Sequence, residues 1–335
     1  MTQPVLTFFC ELDTPALTAL FADPQVIADL QAIHAGVSLG LRDLSAERAA
    51  VVRRLNEAGI PASAWLLRPE EQGYWFNLDN APQALAFYDD FLAWTAAQGL
   101  QWDGVGLDIE PDMRAMRRAF GGEWRVLLDI LRRALDSGRY LRGLLFYRRL
   151  VARIRADGYR VDSYEIPLMV DERRVKSVLL QRLFGLVSLD VDREVLMLYT
   201  SFLRPNGAGA LWSYAPKAAS VGVGSLGGGV TVGGVDQIAP LTWDEFTRDL
   251  LLAQRWCDAL HVFSLEGAVK QGFLARLRDF DWTQAPAIPW AAFRGAERFR
   301  RVLRAGLWAS AHPGVVIAGV GILLSLLTLR RRKHR

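Results

Sequence analysis

Trp102-Asp103-Gly104-Val105-Gly106-Leu107-Asp108-Ile109-Glu110-Pro111-Asp112 is a short apolar run that ends in carboxylates and is stopped by a proline. Alternate residues of a strand share a face. Gly104, Gly106, Asp108 and Glu110 therefore point one way, and Val105, Leu107 and Ile109 the other. Two carboxylates on a face otherwise made of glycine are costly in a closed core, because buried charge needs partners. They make sense where a strand end opens into a cleft, and glycine beside them leaves room for something to approach. The competing reading for any one of these acids is a helix cap or an arginine partner, and Asp112 is placed to cap the helix that follows.

Outward from this stretch the chain alternates strand and helix on both sides. Apolar runs predict strands at 5–11, 36–41 and 60–67 before it, and at 161–170, 194–202, 219–224 and 259–265 after it. Helical patterns fill the gaps. Ser45 caps one, and Asn80 with Gln83 and Thr242 with Glu245 have capping-box spacing. An arginine-rich helical region follows the central stretch, with 13 arginines against four acids between residues 114 and 160, and a break near Ser137-Gly138. Solvated helix faces are the simple reading of that charge. Eight strands alternating with helices predict a (β/α)8 TIM barrel over residues 1–284. An open doubly wound sheet is the alternative, weakened because no G-x-G-x-x-G follows the first strand.

The chain has 335 residues, of which 51% are hydrophobic, and a formal net charge of +4. The basic surplus is almost all arginine, and no zinc-finger spacing or RNP motif accompanies it, so nucleic acid is not an expected partner. Cys10 and Cys257 lie in separate apolar runs and read as buried free thiols. The N-terminus lacks a basic n-region and reads as a strand rather than a signal peptide. Residues 285–304 form a linker and a basic amphipathic segment. From Ala305 to Leu329 there are 25 residues without formal charge, followed by the basic tail 330–335. That length predicts a single C-terminal transmembrane helix at 305–329, and thus a single-pass membrane protein. Five basic residues precede the span and five follow it, which leaves the side of the barrel open.

Barrel sites lie at the C-terminal ends of strands. Those ends bring together Glu11, Asp13, Asp108, Glu110, Glu165, Asp171, Tyr199 and Glu266, and the loops add Tyr74, Trp75, Asn77, Trp212 and Tyr214. An acidic, aromatic cleft poor in lysine and histidine suits a neutral carbohydrate substrate, with aromatic rings stacking on sugar faces. No motif calls for a cofactor, and an Asp108/Glu110/Asp112 metal site has no histidine to support it.

Asp103-Gly104-Val105-Gly106-Leu107-Asp108-Ile109-Glu110 resembles the strand-four signature of glycoside hydrolase family 18, the chitinase-like barrels, D-G-x-D-x-D-x-E. Only the middle acid is missing, at Gly106. Met197-Leu198-Tyr199 is similar to the family's M-x-Y, and Phe263 is nearest to its strand-eight tryptophan. The resemblance implies a membrane-anchored glycoside hydrolase, with Glu110 as general acid, Asp108 assisting a substrate N-acetyl group and Tyr199 bonding that group. A barrel that binds a glycan or protein without chemistry is one alternative. A barrel acting on a phosphorylated small molecule is another, because the glycine-rich stretch 224–234 follows strand seven.

Overall fold

The structure, a computed structural model, describes residues 3–120, 124–228 and 238–318. The chain begins β1 (Val5–Cys10), α1 (Thr14–Ala22), α2 (Pro24–Ala32), β2 (Gly36–Leu41), α3 (Ala46–Glu57), β3 (Ala62–Leu66) and α4 (Ala81–Gln98). It continues through β4 (Gly104–Asp108), α5 (Met113–Phe120), α6 (Trp124–Leu135), α7 (Ser137–Ala156), β5 (Arg160–Glu165), α8 (Leu168–Arg174) and α9 (Leu179–Phe184). Then come β6 (Arg193–Met197), α10 (Gly207–Tyr214), β7 (Ser220–Gly224), α11 (Trp243–Ala253) and β8 (Ala259–Phe263). The last helices are α12 (Leu265–Lys270), α13 (Phe273–Arg276) and α14 (Trp290–Ala311). The eight strands are parallel and close in sequence order, β1 pairing with β8. The central stretch is thus strand four of a (β/α)8 barrel, between β3 and β5.

The strand alternation separates two apolar regions. Val105, Leu107 and Ile109 join Leu6, Phe8, Val161, Val221 and Leu260 in the layer between barrel and helices. Phe9, Trp65, Tyr164 and Val195 fill the lumen. Phe9 meets Tyr164 edge-on at 4.7 Å between ring centroids, and Trp65 at 5.3 Å. Gly106 makes this filling possible, because a Cβ there would lie 2.6 Å from Tyr164 Cζ. Tyr164 Oη, beside it, hydrogen-bonds Ser38 Oγ across the lumen at 2.7 Å.

Several local expectations differ from the structure. Asn80 makes no side-chain cap; its Oδ1 accepts from the Asn77 N–H and its Nδ2 donates to the Trp75 carbonyl, so it staples the β3–α4 loop instead. Strand five ends at Glu165, where Pro167 opens α8. The stretch 207–214 is a helix rather than loop. Its glycines serve close packing: a Cβ at Gly209 would lie 2.5 Å from Ala292 Cβ of α14, and one at Gly207 2.6 Å from Thr200 Cβ.

The expected transmembrane helix at 305–329 is corrected. Residues 305–311 are the last turns of α14, an amphipathic helix that packs on α8 and α10 and buries Leu307. Pro313 cannot continue its hydrogen-bond ladder, and the helix is interrupted at His312. Among the described residues no helix is long and apolar enough to cross a membrane. Residues 319–329 of the expected span, the tail 330–335 and residues 229–234 of the glycine-rich stretch lie outside the described residues. The single-pass anchor, and the membrane location read from it, are not retained.

Arg300 of α14 is 3% exposed and carries the attachment of that helix. Its guanidinium takes both oxygens of the fully buried Asp171 on α8, Nε to Oδ2 at 2.9 Å and Nη2 to Oδ1 at 3.0 Å. It also donates to the Ser213 carbonyl and lies 3.9 Å over the Tyr214 ring.

Candidate functional site

The C-terminal mouth of the lumen is built from β1, β3, β4 and β6. Asp108 ends β4 and is 2% exposed; Glu110, two residues on along the same face, is half-buried and keeps a route to solvent. The β3–α4 loop fixes that extension. Phe76 bridges Ile109, and the Glu110 N–H donates to the Phe76 carbonyl at 3.0 Å. Tyr74 of the same loop is fully buried at φ 64, a left-handed conformation that bulky residues rarely adopt. Packing and one strong bond hold it there: its hydroxyl donates to Glu11 Oε1 at 2.7 Å, just beyond β1. Arg42 lies 5.7 Å from the Tyr74 ring.

Three carboxylates, Glu11, Asp108 and Glu110, converge here with the Tyr199 ring. Burial, then the charges of Glu110 and Glu11, push Asp108 well above the ordinary carboxylate range. Burial raises Glu110 to about 7. Burial, then the charges of Asp108, Glu110 and Glu11, hold the Tyr199 phenol firmly protonated. Among the described residues neither Asp108 nor Glu110 has an ion-pair partner. Asp108 Oδ1 is buried and has no hydrogen-bond partner among them, and the same holds for Trp65 Nε1. The indole N–H sits close enough to Asp108 to draw its pKa down somewhat, without the geometry of a hydrogen bond. Leaving one such buried group unmatched costs about 1–3 kcal/mol.

The other sequence-predicted site residues have these surroundings among the described residues. Trp75 is buried edge-on against Tyr74. Asn77 is enclosed within the loop, its carbonyl accepting from the Tyr147 hydroxyl. Glu165 is paired with Arg173 at 2.6 Å, and burial, then the charge of Glu194, raise it to about 7 against that pairing. Trp212 of α10 packs on Trp256, in the turn after α11. Tyr214 donates to Asp171 beside Arg300. Glu266, in the first turn of α12, lies against Cys10, whose thiol is raised by burial and then by the Glu266 charge. Asp112 caps α5 and binds Arg114, so it does not join Asp108 and Glu110. Among the described residues no group of three or more His, Cys, Asp or Glu side chains is placed to hold a metal ion.

Trp65 and Tyr164 were missed as residues of this region. Their signal was parity: Trp65 shares a face with Ser63 in β3, and Tyr164 with Asp162 in β5.

No protein-family model matches the chain, and no curated protein matches it. Two solved structures that it resembles are a D-allulose 3-epimerase from Methylomonas sp. and a D-psicose 3-epimerase crystallised with D-fructose. The first is 12% identical, with 90% of this chain and 99% of that chain covered, at a TM-score of 0.40. The second is 10% identical, with 91% and 99% covered, at a TM-score of 0.38. At this level the likeness carries no statement about activity.

The chitinase-like resemblance is corrected, and the membrane-anchored glycoside hydrolase it implied goes with it. No protein-family model, of glycoside hydrolases or of any other kind, matches the chain. The family's middle acid has no room here, because the Tyr164 ring occupies the space in front of residue 106.

Proposed function

We propose that the barrel mouth is a proton-transfer site for a small, neutral, hydroxyl-bearing molecule, with Asp108 and Glu110 as its acid–base pair. The observation that carries this reading is the placement of the two carboxyls. They share one face of one strand end, with no cation beside them among the described residues, one sealed and the other half-buried. Two carboxyls this close cannot both ionise readily, so one keeps its proton into the neutral range. Asp108, the more deeply buried, is the group that holds it and can donate it to a substrate oxygen. Glu110, raised to about 7, is matched to accept and return a proton near neutral pH. Tyr199 stays protonated beside them as a donor.

The test is deuterium exchange from D2O into carbonyl-adjacent positions of a panel of hydroxyketones and hydroxyaldehydes, followed by NMR. The expected result is exchange that falls as pH drops through about 7 and that drops about a hundredfold or more in Glu110→Gln. Exchange unchanged in Glu110→Gln rejects the role of Glu110. Saturable binding of these compounds without exchange in the wild type would make the mouth a binding site only.

A further inference from the structure

We propose that Trp65 Nε1 and Asp108 Oδ1 together form a subsite for a single ligand hydroxyl. The subsite rests on reading the barrel mouth as the ligand site, but it concerns binding and not proton transfer.

Both atoms belong to side chains that are more than nine-tenths buried: Trp65 is 4% exposed and Asp108 2%. Neither atom has a hydrogen-bond partner among the described residues. They are also neighbours. Trp65 is in register with Gly106, and Asp108 is the next residue on the same face of β4. Residue 106 presents no side chain on that face; the Tyr164 ring takes the space in front of it, with its hydroxyl bonded to Ser38 rather than to either atom. The influence of Trp65 on the Asp108 carboxyl places the two groups against each other.

The chemistry of the pair selects the ligand group. An indole N–H can only donate, and a carboxyl oxygen accepts when ionised or can donate when protonated. A hydroxyl accepts from Nε1 and serves Asp108 in either state, because it is both donor and acceptor. A carbonyl oxygen matches the pair only while Asp108 is protonated. An ammonium matches only the ionised carboxylate and leaves Nε1 unmatched. A carboxylate ligand meets the charges of Glu11 and Glu110. The subsite therefore favours an uncharged alcohol or polyol, oriented with one hydroxyl at the end of β4.

Glycerol is the probe, because it is small, neutral and offers hydroxyls alone. The full chain is labelled with 15N at its 11 tryptophan indoles, the Trp65 resonance is assigned with Trp65→Phe, and glycerol is titrated. The expected result is a saturable shift of the Trp65 indole N–H, against small linear drifts of the other indoles. Trp65→Phe, which keeps an aromatic ring but loses the donor, should weaken glycerol binding about tenfold, read by ligand-observed NMR. A Trp65 resonance that only drifts with the rest overturns the subsite. Should Trp65→Phe fail to fold, the resonance is assigned from its contacts to Phe9, and the wild-type titration decides. A saturable Trp65 shift in a protein that exchanges no deuterium leaves the subsite standing and removes the proton-transfer reading. Exchange without a Trp65 shift does the reverse.

Discussion

Gly106 is where a single residue separates this barrel from the pattern that its fourth strand resembles. Tyr164 spans the lumen through the space that a side chain at residue 106 would take, and anchors on Ser38. Gly106→Asp, which restores the pattern's middle acid, is therefore expected to destabilise rather than activate. It forces the Tyr164 ring off its rotamer and buries a further charge beside Asp108. The expected loss is about 3 kcal/mol or more in urea unfolding. Gly106→Ala should be milder but still costly, since the Cβ alone is too close to the ring.

Glu110 makes a second prediction at this scale. Its folded pKa, about 7, lies above its ordinary value of 4.5, so the folded state binds the extra proton between those limits. Stability from this group is present below pH 4.5 and is lost as pH rises through about 7. Glu110→Gln removes that loss. Its unfolding free energy should match the wild type near pH 4 and exceed it at pH 8 by on the order of 2 kcal/mol. A variant no more stable than wild type at pH 8 would contradict the burial of this carboxyl.

Among the elements, α14 and α10 are the pair whose relation was hardest to read. Gly207 and Gly209 look like loop residues, yet Gly209 lets α10 and α14 approach to backbone contact, and Gly207 lets α10 pack on the turn at Thr200. Arg294, Arg298, Arg300, Arg301 and Arg304 look like one basic face, yet Arg300 is buried against Asp171 and Tyr214. Breaking a buried ion pair by removing one partner leaves an uncompensated charge. Arg304 stays 3.8 Å from Asp171 and Tyr214 still donates to it, so Arg300→Ala should cost about 3 kcal/mol, at the low end for a broken buried pair and more than replacing both partners by apolar residues. Hydrogen exchange across 290–311 should rise sharply in Arg300→Ala and stay near wild type in Arg301→Ala, whose parent side chain bonds, among the described residues, only its own helix. The strands were legible because each apolar run has its own turn signals. Their ends were not, because Pro167 after β5 and the 3-10 turn Thr200–Leu203 after β6 continue the apolar composition past the last ladder bond.

For the whole molecule, opposing groups set the dependence of stability on pH. His261 sits in the lumen, beside Phe9, with Nδ1 2.9 Å from Ser220 Oγ. Burial, then the charges of Arg193 and Arg160, hold its pKa at about 3, below the ordinary 6.5. Its contribution is complete above pH 6.5 and is lost as pH falls toward 3. Glu110 and Asp108 act in the other direction, favouring the folded state at lower pH. Between about pH 4.5 and 6.5 the His261 and Glu110 slopes cancel. The melting temperature is expected to peak at mildly acidic pH and to decline toward both pH 3 and pH 9. A maximum above pH 8 would mean that Asp108 and Glu110 ionise at ordinary values.

The sequence by itself determined the strand–helix alternation, the order of the eight strands, and which residues of the central stretch face the lumen. Those properties follow from local periodicity, and period two assigns each strand residue a side whatever the rest of the chain does. Only the tertiary structure decided what stands opposite each side chain. It put the Tyr164 ring in front of Gly106, Arg300 into Asp171, and the first turns of the expected span into α14, which packs on α8 and α10. It also brought the Trp65 indole, from a different strand, against the Asp108 carboxyl at the end of the stretch Trp102–Asp112. Hydropathy records how apolar a segment is and not which surface it meets, and spacing along one strand carries no information about its neighbour across the lumen.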